Sequence, residues 1–131
     1  MKIANKIFLD RVRSPEETQV VILKSRDILT QVARDFRDSI ISICEVTPEF
    51  KRCTGSTRVS FHSSSTLFVL ESNLNYSLCG VRAGLVYHQG IDRDSEEYAQ
   101  LLLPMVVNAA IGSGWSIEDV IKRIVDLSDY N

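Results

Sequence analysis

From Glu16 to Thr47 the chain has neither glycine nor proline, and Pro15 and Pro48 bound the run. Ser14 is a good N-cap, Pro15 suits the first helical position, and Glu17 stands three residues after the cap, as in a capping box. Glu16 and Glu17 also meet the positive end of a helix dipole. Pro48 stops any helix and disfavours helical backbone at Thr47. The pattern predicts one helix over residues 15–46. At 1.5 Å per residue it would be roughly 45 Å long, whereas a compact domain of this size has a radius of gyration near ~14 Å. Such a helix either breaks, with Lys24-Ser25 as the expected point, or projects an end that needs a partner.

Ile22, Leu29, Phe36 and Ile43 recur every seven residues, and Val32, Ala33 and Ile40 widen the stripe. Arg26, Asp27, Arg34, Asp35, Arg37 and Asp38 lie mostly off it. Ser25 and Ser39 occupy the alternate core positions, which weakens a strict coiled coil. The stripe suits packing on the chain's own sheet or burial in a dimer. Ile22, Leu29, Val32, Phe36, Ile40 and Ile43 are the candidate interface. Ahead of Ser14, the spacing of Ile3, Ile7, Phe8 and Val12 allows residues 1–13 to be a short helix or a docking arm.

After Pro48 the hydrophobic period changes from helical to two. Val59 and Phe61 alternate with Arg58, Ser60 and His62, and "TLFVLE" is apolar on both faces, as in a central strand. Leu74, Tyr76 and Leu78 alternate with polar neighbours, and Val81, Ala83, Leu85 and Tyr87 resume the alternation one residue out of phase. The slip at Cys79-Gly80 suggests a bulge or tight turn. Residues 57–88 therefore read as a three- to four-stranded antiparallel β meander.

Residues 94–127 read as a helical pair. Pro104 should kink or break the first helix, and "GSG" at 112–114 should end it. Ser116 to Asp119 forms a second capping-box pattern, with Trp115 placed to staple onto the helix it opens. The sum is a single α+β domain over residues 1–131: a long N-terminal helix, an antiparallel meander and two C-terminal helices in two layers.

A net charge of −2 argues against nucleic-acid binding by bulk electrostatics, which needs a basic stripe. No apolar run approaches the ~18 residues that span a bilayer. Asp10 and Arg11 interrupt the only N-terminal apolar patch, so neither a membrane partner nor a signal peptide is expected. Cys44, Cys53 and Cys79 form no CxxC pair, which favours a reducing cytoplasm over a disulfide framework or a zinc site. No metal or other cofactor is expected.

His62 and His88 are the only histidines, and both fall on the polar phase of their strands with Arg58, Ser60 and Arg82. Imidazole titrates near neutrality, so two histidines beside hydroxyls and arginines suit acid–base work on a phosphodiester. His62-Ser63-Ser64 is similar to one half of the paired signature of two-histidine phosphoesterases. The second half is missing, because Gln89 and Gly90 follow His88. His62, His88 and Ser64 are the catalytic candidates, and Arg58, His62, Arg82 and His88 are the candidate ligand-binding set. Cys79 with His88 is a further nucleophile pair, though nothing local lowers the thiol pKa. Asp92, Asp94, Glu96 and Glu97 lack the central glycine and closing glutamate of a calcium loop. "EFKRCTGSTR" gathers Lys51, Arg52 and Arg58 near the start of the sheet, where a small anion could bind.

No catalytic constellation emerges, so the leading expectation is a small non-enzymatic interaction protein. It would act as a cytoplasmic homodimer in the manner of a regulator, inhibitor, immunity-type protein or secretion-chaperone-like adaptor, with a protein partner. The alternatives are a binding module for an anionic small molecule such as a nucleotide, and a small phosphodiesterase or nuclease using His62 and His88.

Overall fold

A computed structural model describes residues 2–53, 55–61, 64–74 and 81–130. The segment expected as one long helix divides into a turn, a strand and a helix. Helix α1, Lys2–Arg13, precedes it and buries Ile3, Ala4, Ile7, Phe8 and Arg11. "SPEE" opens no helix. The Arg11 guanidinium is 1% exposed and donates to the carbonyls of Pro15 and Glu17, which holds the segment as a turn. Strand β1, Gln19–Leu23, follows, with all five residues buried. Val21 and Leu23 face one core, Val20 and Ile22 the other. A strand covered on both sides has no polar phase, and a short apolar run does not separate strand from helix by periodicity.

The break falls at the expected point. Ser25 is extended and its Oγ accepts from the Ile28 N–H at 3.2 Å, capping helix α2, Arg26–Cys44. Glu45, in the left-handed region at φ 56°, ends that helix. Strands β2, Glu49–Cys53, β3, Ser56–Phe61, and β4, Ser64–Leu70, then run antiparallel to their sequence neighbours.

The antiparallel meander stops there. β4 pairs parallel with β1, and β1 pairs parallel with β5, Leu85–His88. The expected strand around Tyr76 and the slip at Cys79-Gly80 lie outside the described residues. Beyond β5, Ser95 Oγ accepts from the Tyr98 N–H at 3.2 Å and starts a helical stretch. Pro104 has the predicted effect: a π turn over Tyr98–Leu102 precedes helix α3, Leu103–Ala110, so the backbone register widens beside the proline. Gly112 and Gly114, both at positive φ, end this stretch.

The Ser116–Asp119 capping box also forms, in both directions, and opens helix α4, Ile117–Lys122. That helix is shorter than expected. Ile124–Asp126 is strand β6, which pairs parallel with β5. One six-stranded mixed sheet results, in the order β2-β3-β4-β1-β5-β6. Helices α1 and α2 cover one face over Ile7, Phe36, Phe68 and Tyr87. The π turn, α3 and α4 cover the other over Val20, Ile22, Val69 and Val86. The expected two layers are therefore three, because β1 is apolar on both sides. No helix among the described residues is long and apolar enough to cross a membrane.

Candidate functional site

The chain leaves β1 through α2 on one face of the sheet and leaves β5 through α3 and α4 on the other. Connections that diverge from neighbouring parallel strands mark the carboxyl edge as the place where α/β sheets hold ligands. At that edge the Lys24 N–H donates to Gln89 Oε1 at 2.8 Å and ties the two diverging loops together. Glu71, Glu96 and Glu97 line a polar cavity of about 500 Å³ beside Lys24. Among the described residues no three His, Cys, Asp or Glu side chains are grouped to hold a metal ion.

On the α1/α2 side of the same edge, a second cavity of about 250 Å³ lies between the first turns of α2 and the β2–β3 hairpin. Its apolar lining is Leu29, Ala33, Phe50 and Leu70. Its charged lining is cationic: Arg26, the first residue of α2, and Arg52 on β2. Neither arginine forms an ion pair among the described residues, and no carboxylate lines the cavity. The Arg52 guanidinium lies 5.4 Å from the centre of the Phe50 ring, which also receives Arg37 at 5.1 Å.

Among the described residues, Thr30, Ser56 and Thr57 add hydroxyls to the wall. Thr57 is 6% exposed, pairs with Arg52 and Phe68 in the neighbouring strands, and shares the inward phase of β3 with Val59 and Phe61. The hairpin tip is tightly seated. Gly55 adopts φ +73°, and a Cβ there would lie 1.8 Å from Asn73 Nδ2. The Leu70 N–H donates to the Gly55 carbonyl at 3.2 Å.

Among the described residues, the catalytic and ligand-binding candidates Arg58, Ser64, Arg82 and His88 lie apart from one another. His62 and Cys79 lie outside the described residues. Arg58 is exposed on the opposite face of β3 from the cavity, paired across strands with Lys51. His88 shares the Arg58 face, as strand phase requires, but β4 and β1 lie between their strands. Three inter-strand steps separate the two strands by roughly 14 Å. Arg82 is exposed in the segment leading to β5. Ser64 Oγ donates to the Pro15 carbonyl at 2.7 Å, which fastens β4 to the turn before β1. Asp92 and Ser95 form a capped turn, with Asp92 Oδ1 accepting from the Asp94 N–H at 2.9 Å.

His88 is buried, and its Nδ1 accepts from the Ile91 N–H at 3.0 Å. That bond assigns the ring proton to Nε2. Desolvation pulls the His88 pKa below its ordinary value, partly offset by Asp126. Burial raises the Asp126 carboxyl, but hydrogen bonds from Ser128 and the Gly90 N–H outweigh it and hold the group below its usual range. The lone pair that acid–base chemistry would use at His88 Nδ1 instead supports the loop after β5.

Of the six candidate interface residues, Ile22, Leu29, Val32, Phe36 and Ile40 are buried in the chain's own cores, and Ile43 is exposed. A second polar assembly crosses the core near the amino ends of the parallel strands. Thr66 Oγ1 donates to Gln19 Oε1 at 2.7 Å, and Gln19 Nε2 donates to Tyr87 Oη at 3.1 Å and to the Ile7 carbonyl at 3.0 Å. Tyr87 Oη donates to Asp10 Oδ2 at 2.7 Å, and Lys6 pairs with Asp10 at 3.1 Å. Burial, reinforced by the charge on Asp10, raises the Tyr87 pKa far above its ordinary value.

Compared with known proteins, the chain matches no family model, no curated protein and no solved structure. The cavity is thus the principal guide to function. Sequence reasoning had placed Arg52 among the bases near the start of the sheet but grouped it with Arg58. Strand alternation puts adjacent side chains on opposite faces, so Arg52 enters the cavity while Lys51 and Arg58 stay outside it. Arg26 was legible only as a polar residue off the helical stripe.

Proposed function

We propose that the protein is a binding module for a small anionic molecule, held between Arg26 and Arg52. The observation that carries this reading is a cavity whose described lining has two guanidinium groups without an ion pair, three hydroxyls and no carboxylate, at the carboxyl edge of the parallel strands. Guanidinium groups bind oxyanions through paired N–H donors, and the positive end of the α2 dipole favours the same charge. The apolar lining gives the rest of the ligand a surface to leave water for.

Isothermal titration with a panel of small phosphates, sulfates and carboxylates tests the reading. At least one should bind, and Arg26→Gln with Arg52→Gln should weaken it by about tenfold or more, since a hydrogen bond to a charged group contributes about 1.5–3 kcal/mol. Both arginines are exposed, so the double variant should retain its fold. Absence of binding by every anion, or full retention by the double variant, would overturn the assignment.

A further inference from the structure

Resting on that reading, we propose that the ligand's anionic group is a doubly charged phosphomonoester carried on a body no larger than one ring. Arg26 and Arg52 are the charged side chains of the lining among the described residues. They come from α2 and β2, while β3 and β4 contribute no charged group. Two cations without a local counter-charge suit a dianion better than a single carboxylate. The donors also converge from different directions: one guanidinium from the helix, one from the hairpin, and hydroxyls from α2 and β3. A carboxylate presents two oxygens in a plane, whereas a phosphomonoester presents three in a tetrahedral fan, which such a spread of donors can meet.

Thr57 adds a neutral donor to the two cations. The residue is 6% exposed and lines the cavity on the inward phase of β3, where its hydroxyl can donate to a ligand oxygen. Size limits the remainder of the molecule. Ligand sites usually span about 300–1,000 Å³, and this cavity, at about 250 Å³, falls just below that range. Phosphoryl group and body must share that space, with Leu29, Ala33, Phe50 and Leu70 against the body.

Phenyl phosphate, benzoate and sulfate separate the possibilities by titration calorimetry at two pH values. Phenyl phosphate should bind at least about tenfold more tightly than benzoate at pH 7.5, because it presents two charges and a third acceptor oxygen. Its affinity should fall about tenfold by pH 5, as the second phosphate proton, with a pKa of about 6, is taken up. Sulfate keeps both charges across that range and should show no such fall. Thr57→Val keeps the shape of a buried β position and should weaken phenyl phosphate several-fold with little change in melting temperature. Equal binding of benzoate and phenyl phosphate, a pH-independent phenyl phosphate affinity, or an unaffected Thr57→Val variant overturns the phosphomonoester assignment but leaves anion binding standing. Failure of all three probes to bind overturns both.

Discussion

The hydroxyl of Tyr87 offers the sharpest test of how α1 is fastened to the sheet. It donates to Asp10 on α1 and accepts from Gln19 on β1, so one atom links helix, central strand and neighbouring strand. Tyr87→Phe removes that atom and leaves the ring volume in place, so no large cavity contributes. A hydrogen bond to a charged acceptor contributes about 1.5–3 kcal/mol. The Asp10 side chain is 12% exposed and keeps Lys6 at 3.1 Å, so its carboxylate is not fully stranded. The expected loss is therefore about 2 kcal/mol. For 131 residues at about 2.1 cal/mol/K each, this corresponds to a drop in Tm of about 7 °C.

Urea denaturation gives the free energy directly, and a cycle with Asp10→Ala should show a coupling above about 1 kcal/mol. Alkali provides a second readout. A raised folded-state pKa means that the stability from neutral Tyr87 is fully present below the unfolded value, near ~10, and is lost as pH climbs above it. The Phe variant should lack that loss. A change in stability under about 0.5 kcal/mol, together with a coupling near zero, would refute the reasoning.

Two further outcomes follow from the described geometry. His88 has a depressed pKa and uses Nδ1 as an acceptor, so its contribution to stability is complete above the unfolded value of about 6.5 and falls as pH drops toward the folded one; denaturation of wild type and His88→Asn between pH 7.5 and 5 should show the steeper acid loss in wild type, and parallel profiles would contradict this. Gly55→Ala should cost about 1–2 kcal/mol for its left-handed backbone alone, with an additional loss that Asn73→Ala relieves; a Gly55→Ala variant as stable as wild type by urea denaturation would show that the hairpin tip is not seated as described.

Legibility in the sequence followed the distance over which each signal acts. The capping box at Ser116, the glycine stop at 112–114 and the distortion beside Pro104 depend on a few neighbouring residues, and each formed as read. The antiparallel pairing of β3 with β4 was legible from two adjacent runs with little between them. β1 was not. Its "VVIL" at residues 20–23 is apolar throughout, and only the arrival of β4 and β5 from later in the chain makes it a strand. β6 is three residues at a sheet edge, and its apolar Ile124 and Val125 also continue the stripe of α4. Arg11 gave no signal of its role, because the carbonyls that claim it belong to a turn with strong helix-start chemistry.

The misread junction is also what builds the cavity. In an unbroken helix from 15 to 46, the N–H groups of Arg26 and Asp27 would bond to carbonyls four residues back, and Arg26 would sit in mid-helix. The extended backbone at Ser25 instead makes Arg26 the first residue of α2, beside the hairpin that carries Arg52. β1 must be a strand for this to occur, since its pairing with β4 brings Leu70 under the first turns of α2 and sets the apolar floor. The candidate site therefore rests on long-range sheet pairing and short-range capping together, and Lys24-Ser25 is where the two meet. Local reading marked the break there, but the use made of it depends on strands more than forty residues further along the chain.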